Sequence, residues 1–198
     1  MDAVLASVGE FFMGRSPLHA AAEGIARRLR ESGIDYAIAG ALSLGAHGFV
    51  RATEDVDVLI TRDGMQRFKG AWLGRGYVNL REGGKAVRDT EHGVKIDFLL
   101  TGEYPGDGKP KPVAFPDPGV AGIETDPYPY RVLSLPRLIE LKLASGMTAP
   151  HRLHDLADVM RLIRAASIPR DFAGELHPYV REKFDELWVV AQHPDDDT

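Results

Sequence analysis

The feature that most constrains this chain is a pair of aspartates inside a hydrophobic strand. The stretch DVDVLI is apolar except for Asp55 and Asp57. Side chains of a strand alternate between its two faces. Val56, Val58 and Ile60 are therefore expected to share a core face. The two aspartates then lie together on the opposite face, with their Cα atoms about 6–7 Å apart.

A third carboxylate follows in the segment KIDFLL, which also has the pattern of a strand. Ile96, Phe98 and Leu100 form its apolar face, and Asp97 is alone on the other. If this strand pairs beside the first, Asp97 joins the aspartate pair.

Carboxylates this close repel one another, and each raises the pKa of its neighbours. A divalent cation such as Mg²⁺ or Mn²⁺ relieves that repulsion, because hard cations prefer oxygen ligands. Three carboxylates on adjacent strands suit a two-metal phosphoryl-transfer site. A D-x-D pair alone also occurs as solvated strand residues or as a cap, so the interpretation depends on the residues upstream.

The upstream segment YAIAGALSL has the pattern of a strand, a glycine and a helix. Gly40 permits close backbone approach, and amides at a helix start favour phosphate. Ser43 can add a hydroxyl to such a phosphate cradle, although a place on the helix surface fits it equally well.

The composition indicates a soluble globular protein and excludes several classes of site. The chain has 198 residues, of which 44% are hydrophobic and 27% are charged, and its net charge is −5. Without cysteine it has no disulfide, no thiolate chemistry and no cysteine metal site. No run approaches 18 apolar residues, and the N-terminus lacks the apolar core of a secretory signal. We therefore expect a cytoplasmic protein with no membrane partner.

The order of elements predicts an α/β part followed by helices. We expect a core at 1–130 and a C-terminal helical region at 131–198 that packs on it. Residues 1–14 have the pattern of a weakly amphipathic lead-in, and the acidic tail HPDDDT is expected to fray. The loop 102–119, rich in Pro, Gly and Lys, is long enough to be functional or mobile. Further predicted elements are helices at 17–33, 42–47, 63–76, 136–146, 151–166 and 178–191, and strands at 36–40, 77–81, 85–90 and 130–134.

The segment GALSLGAHGFVRATEDVDVLI resembles the nucleotidyltransferase superfamily with the polymerase-β-like core. That superfamily combines a glycine-containing turn, a D-x-D strand and a later single Asp. The R-x-T-x-D-x-D arrangement, here Arg51, Thr53, Asp55 and Asp57, is most similar to the minimal nucleotidyltransferases and the AbiEii/MenT toxin group. The resemblance covers roughly residues 18–165. It implies a mixed sheet flanked by helices, with a C-terminal helical extension.

The resemblance also assigns expected roles to residues near the aspartates. Asp55 and Asp57 match the metal-binding pair, and Asp97 matches the third carboxylate, which can act as base toward an acceptor hydroxyl. Gly40 and Ser43 match the phosphate-binding turn. Position 41 departs from the pattern, because Ala41 stands where many members have Ser or Gly. That leaves the phosphate contact to backbone amides and Ser43.

The resemblance extends to the segment LIELKLASGMTAPHRLHDLADV. The toxin group has a lysine on one helix and R/K-x-x-D on the next, here Lys142, Arg152 and Asp155. A lysine near the triphosphate would neutralise developing charge, and Asp155 would hold Arg152 or Lys142 in place. Arg51 would contact phosphate or fix the aspartate loop, which Thr53 would order. Each of these helix residues also fits a solvated surface.

The leading hypothesis is an Mg²⁺-dependent nucleotidyltransferase that uses a nucleoside triphosphate (NTP) such as ATP. Its acceptor would be a tRNA, a protein or a small molecule, and the toxin-like motif points to a defence role with a cognate antitoxin. The alternative is a catalytically weak nucleotide-binding or regulatory protein, which Ala41 supports. A metal-dependent phosphohydrolase would use the same carboxylates with water as acceptor.

Overall fold

A mixed sheet carries both aspartate-bearing strands at its centre. The structure is a computed structural model that describes residues 16–193. Within that range the sheet has seven strands in the order β3-β4-β5-β2-β1-β7-β6. β2 is parallel to β5 and antiparallel to β1, while β7 is parallel to β1. The strands are β1 (Tyr36–Ile38), β2 (Asp55–Ile60), β3 (Tyr77–Asn79), β4 (Ala86–Asp89), β5 (Lys95–Leu100), β6 (Gly122–Ile123) and β7 (Val132–Leu133).

Helices flank both faces of this sheet and follow its last strand. The helices of the described range are α1 (Pro17–Glu31), α2 (Gly40–Ala46), α3 (Arg62–Trp72), α4 (Pro118–Ala121), α5 (Leu135–Thr148), α6 (Leu153–Ala165) and α7 (Pro178–Ala191). Two 3₁₀ turns, Pro150–Arg152 and Arg170–Glu175, precede α6 and α7. The predicted α/β fold with a C-terminal helical extension is confirmed.

One face of the sheet packs on α1 and α3. Val56, Val58 and Ile60 of β2 are buried there, which confirms their predicted core face. The ring of Phe68 on α3 makes edge contacts with two further aromatic rings, at centroid distances of 5.0 Å and 5.6 Å. This face is wholly apolar along β2 and β5, so charged side chains of these strands are confined to the other face.

The second face packs on α5, α6 and α7. Ala37 of β1, Leu59 of β2 and Leu133 of β7 are buried against these helices. Because side chains alternate, Leu59 and the aspartates of β2 lie on this same face. The helical layer therefore ends close to the carboxylates.

The buried face of α6 differs from the predicted one. The spacing of Leu153, Leu156, Ala157, Met160 and Ile163 predicts an apolar face, but Leu153 is 62% exposed. Ile163 is buried as predicted, and Leu156 and Met160 are partly buried against the core. The fully buried positions also include Asp155 and Asp158, which pair with Lys142, because buried charges need such partners.

Several element boundaries also differ from expectation. α2 begins at Gly40 rather than near residue 42, and β6 was not predicted. α5 does not end at Gly146, as the sequence predicts, but continues to Thr148. Gly146 instead makes room for α6, because a Cβ there would lie 2.5 Å from Leu156 Cγ. The lead-in and the tail after His193 lie outside the described residues.

The proposed division at residue 130 stays a prediction. β7 (Val132–Leu133) follows that boundary yet pairs with β1 in the sheet. The main chain of the region 131–198 therefore begins inside the sheet before it turns into the helices.

Candidate active site

The register of two parallel strands brings the three predicted aspartates together. Asp57 of β2 stands directly opposite Asp97 of β5, and Asp55 stands opposite Lys95. Neighbouring strands lie about 4.8 Å apart. All four side chains are on the sheet face that α5–α7 partly cover, and none of the four is fully buried.

Lys95 supplies the positive charge nearest to the carboxylates of Asp55 and Asp97. Its Nζ lies 2.5 Å from Asp97 Oδ2 and 3.7 Å from Asp55 Oδ2. The hydrogen bond to Asp97 raises the pKa of Lys95 above its ordinary value, so the ammonium stays charged. The sequence analysis missed Lys95, although its place two residues before Asp97 puts both on the same strand face.

Asp57 is the least compensated of the three carboxylates. Burial, followed by the charges of Asp55 and Asp97, raises its pKa to about 6, although Lys142 and Arg152 act in the opposite direction. Among residues 16–193 we find no donor hydrogen-bonded to its carboxylate. An incoming cation would therefore find a ligand that no protein group occupies.

The turn at Gly40 packs directly against Asp57. The φ angle of Gly40 is +60°, and a Cβ there would lie 2.1 Å from Asp57 Oδ2. The backbone amide of Ala39 donates to the Asp57 carbonyl at 2.9 Å. Only glycine combines this backbone conformation with this approach, so Gly40 fixes where the carboxylate lies.

The two other predicted residues of the turn face inward. Ala41 is buried, and Ser43 is fully buried with its hydroxyl donated to the Leu133 carbonyl at 3.4 Å. Ser43 therefore does not present its hydroxyl to the cleft. The geometry leaves only backbone groups of this turn to meet a ligand.

Arg51 and Thr53 order the segment that leads into β2. Thr53 Oγ1 donates to Asp55 Oδ1 at 3.0 Å, which orients that carboxylate. Arg51 Nε lies 3.1 Å from a carboxylate oxygen of Asp158 on α6. Of the two roles considered for Arg51, the structure shows it bracing the aspartate loop against the helical region.

A buried network of charges forms the helical wall of the cleft. Lys142 Nζ on α5 lies 2.9 Å from Asp155 Oδ1 and 2.7 Å from Asp158 Oδ2 on α6. Ser145 donates to Asp155 Oδ2 at 2.7 Å, and Arg152 Nε does so at 2.9 Å. Burial alone would raise the pKa of Asp155, but Lys142, Ser145 and Arg152 outweigh it and hold the pKa below its ordinary value.

Two members of this network were not predicted for the site. These are Asp158 and Ser145. Asp155 and Asp158 are three positions apart, so they occupy the same face of α6. That spacing opposite a lysine on the preceding helix is the sequence signal that could have identified the network.

The cleft lies between this network and the aspartates. Leu138, Leu141, Lys142 and Ser145 of α5 line it on one side, together with Pro105, Gly106 and Phe115 of the adjacent loop 102–117. The rest of the lining comes from the sheet, the Gly40 turn and the start of α6: Ala39, Gly40, Asp57, Leu99, Leu133, Arg152 and Asp155.

The loop 102–117 is fastened to α5. Lys111 Nζ donates to Asp107 Oδ1 at 2.6 Å and to Thr148 Oγ1 at 3.1 Å. Gly106 lies against the last turn of α5, where a Cβ would lie 2.7 Å from the Ser145 carbonyl oxygen. The loop that lines the cleft is therefore held against α5 by these contacts.

The aspartates fit a divalent cation by chemistry and charge. Three carboxylates face one ammonium, and the oxygens of Asp57 receive no hydrogen bond from the described residues. As the side chains stand, however, the range 16–193 contains no group of three or more acidic or histidine side chains arranged as a metal cage. The Lys95 ammonium lies between Asp55 and Asp97.

Comparison with known proteins gives likenesses of structure only. No protein-family model and no curated protein matches the sequence. The crystal structure of ANT(2″)-Ia in complex with adenylyl-2″-tobramycin is 12% identical and has a TM-score of 0.50, over 87% of this chain and 97% of that one. This chain has a nucleotidyltransferase-type fold.

Two further structures show weaker likenesses. The solution structure of the antibiotic-resistance factor ANT(2″)-Ia is 13% identical, with a TM-score of 0.48 over 87% of this chain and 94% of that one. JHP933 from Helicobacter pylori is 16% identical, with a TM-score of 0.46 over 89% of this chain and 90% of that one.

None of the helices within 16–193 has the length and apolar character needed to cross a membrane.

We predict that Gly40→Ala disturbs the site more than its backbone strain alone would. A positive φ costs a non-glycine residue about 1–2 kcal/mol, and the new methyl group would also displace Asp57. Gly33→Ala is the matched control, since Gly33 has a φ of +59° with nothing within 4 Å of its Cβ position. Both variants should lose similar stability in thermal melts, while Gly40→Ala alone should lose Mn²⁺ binding. Equal Mn²⁺ affinity in the two variants would contradict this.

We predict that Asp57→Asn stabilises the metal-free protein above pH 6. The folded-state pKa of Asp57 is raised to about 6. Wild-type stability should therefore fall as the pH rises from about 4 to 6, because the folded state holds its proton longer than the unfolded chain. Asp57→Asn has no carboxylate to lose a proton at this position, so its stability should not fall in this way. It should be more stable than the wild type by about 1–3 kcal/mol at pH 7.5. Urea unfolding in EDTA tests this, and a stability difference independent of pH would contradict it.

Proposed function

We propose that this chain is a metal-dependent nucleotidyltransferase that transfers a nucleoside monophosphate from an NTP to a hydroxyl acceptor. The observation that carries the proposal is the register of β2 and β5. It sets Asp57 opposite Asp97, beside the Gly40 turn, in a cleft that Lys142, Arg152 and Asp155 also line. The fold supports the reaction class, and the carboxylates supply its chemistry.

Asp55, Asp57 and Asp97 would hold Mg²⁺ or Mn²⁺. When bound, such ions neutralise charge on the phosphates and on the leaving group. The protein's own residues set the geometry: Thr53 orients Asp55, and the Gly40 turn fixes Asp57. The Lys95 ammonium partly balances the carboxylate charge in the metal-free state.

In the proposed step, the acceptor hydroxyl oxygen forms a bond to the α-phosphorus. The bond from that phosphorus to the oxygen bridging to the β-phosphate breaks, and pyrophosphate leaves. Asp97 takes the hydroxyl proton as general base. Its partial exposure, with a side chain 29% accessible, leaves room for an acceptor to approach.

The triphosphate would lie along the cleft between the Gly40 turn and α6. The backbone groups of Gly40 and Ala41 would face its phosphates. Arg152 is the cation best placed to bind them, because its side chain is 45% exposed and also lines the cleft. Lys142 is held by two carboxylates and is largely buried, so its contribution would be mainly to fix Asp155 and the wall.

The acceptor would be a tRNA, a protein or a small molecule. The adenylyl-tobramycin bound to ANT(2″)-Ia is a small-molecule precedent for the fold. A place in a toxin–antitoxin pair, with an antitoxin as partner, would follow from the resemblance of Arg51, Thr53, Lys142 and Asp155 to the toxin group. The catalytically weak alternative draws support from the turn, where neither Ala41 nor Ser43 offers a polar side chain to the cleft.

We predict that the wild type transfers label from α-labelled NTP in the presence of Mg²⁺. A cell lysate divided into RNA, protein and small-molecule fractions identifies the acceptor class. Asp57→Asn should lose at least about a hundredfold in rate while it stays folded, because it keeps the side-chain shape but removes a charge that binds metal. Nucleotide binding without transfer in every fraction would favour the regulatory alternative, and phosphate release to water would indicate a hydrolase.

We predict that Arg152→Ala weakens binding of a non-hydrolysable triphosphate about tenfold at low salt. The reason is the loss of a cation facing the phosphates. The deficit should shrink at higher ionic strength, because salt screens the attraction. Arg161→Ala on the exposed face of α6 is the matched control and should bind like the wild type. Calorimetry at two salt concentrations measures this, and equal affinities for both variants would place Arg152 outside the nucleotide site.

A further inference from the structure

We propose that Lys95 is an internal counter-cation that stabilises the metal-free site and must be displaced before a divalent ion can bind. The inference rests on the proposed function, since it concerns the same carboxylates. It adds a positioning residue to the site and predicts that this lysine opposes metal binding.

The ammonium of Lys95 lies between two of the carboxylates. Its ammonium contacts both Asp97 and Asp55, at 2.5 Å and 3.7 Å, and so lies between the carboxylates of two strands. The register fixes this position, because Lys95 stands opposite Asp55 while Asp97 stands opposite Asp57. A cation shared by Asp55 and Asp97 would occupy the same space as the ammonium.

The charge balance of the site also depends on this lysine. Without Lys95, Asp55, Asp57 and Asp97 would lie on adjacent strands with no cation from residues 16–193 within ion-pair distance. Lys142 is committed to Asp155 and Asp158, and Arg152 to Asp155. Like charges at this spacing destabilise the folded state. The lysine therefore lets the sheet fold before metal arrives.

The exposure of the Lys95 side chain makes its displacement possible. Lys95 is 42% exposed at the start of β5, so its flexible stem can swing toward solvent without unpacking the core. Thr53 donates to Asp55 Oδ1, whereas the ammonium lies nearer to Asp55 Oδ2, so the two contacts use different oxygens. Displacement would therefore cost the ion pairs and leave the orientation of Asp55 intact.

The test compares Lys95→Met, Lys95→Arg and Lys85→Met with the wild type. Lys85 is the matched control, because it pairs with Glu103 and is similarly exposed but does not contact the aspartates. Mn²⁺ affinity by calorimetry and melting temperature with and without Mn²⁺ are measured on the full chain. Neither readout needs an acceptor or turnover.

We expect Lys95→Met to bind Mn²⁺ about tenfold more tightly than the wild type, because a positive charge near the ion has been removed. Its melting temperature should fall in EDTA, and Mn²⁺ should recover most of that loss. The Mn²⁺ affinity of Lys85→Met should lie within about twofold of the wild-type affinity. Mn²⁺ should raise the melting temperatures of Lys85→Met and the wild type by the same small amount. Lys95→Arg keeps the charge and should bind no more tightly than the wild type.

The outcomes separate the two proposals. If the wild type binds Mn²⁺ and Lys95→Met binds no more tightly, the inference is overturned and the metal-dependent function stands. If Lys95→Met does not fold without metal, the counter-cation role is supported, provided that Lys95→Arg folds; if both fail to fold, the role is overturned. If none of the four proteins binds Mn²⁺, the metal-dependent function fails, and the inference with it.

Discussion

Repulsion between carboxylates on two adjacent parallel strands is the constraint on which the rest of the site depends. Asp57 and Asp97 face each other because β2 and β5 pair in register, and Asp55 follows on the same face. The apolar face behind them packs against α1 and α3, so a shift by one residue would bury the aspartates in a hydrophobic core. The packing of the core therefore determines where the three carboxylates lie.

The helical region contains a second group of charges, which are buried and paired with one another. Lys142, Asp155 and Asp158 are all buried, and each is stable there only because the others are present. Arg51 extends this group to the segment that precedes β2. The same ion pairs that make α5 and α6 compatible with burial therefore also set the distance between the helical wall and the aspartates.

Sequence reasoning predicted the strands that bear the aspartates because alternation along a strand has a fixed period. The faces of β2 and β5, and hence the meeting of Asp55, Asp57 and Asp97, followed from that period. It failed in part on α6, where Leu153 is exposed and Asp155 and Asp158 are buried. Hydrophobic periodicity carries no information about a buried charge whose partner lies on another helix.

The same limit applies to single side chains near the site. Ser43 was expected either to contact phosphate or to lie on the helix surface, but its hydroxyl donates instead to Leu133 of β7, which comes some 90 residues later. Lys95 was missed because strand patterning separates polar from apolar faces and does not pair polar neighbours. Gly40 was identified correctly as a site of close approach, but only the structure shows that the approaching group is Asp57.

The fastening of the loop 102–117 to α5 has a consequence for how such a protein can diversify. Lys111 and its partner Thr148 attach the loop to α5 without lining the cleft, whereas Pro105 and Phe115 are among the residues that line it. Substitutions at the lining positions can reshape the entrance while the anchors and the strand-borne carboxylates remain unchanged. A few loop residues therefore decide what the cleft admits, independently of the strands that carry the aspartates.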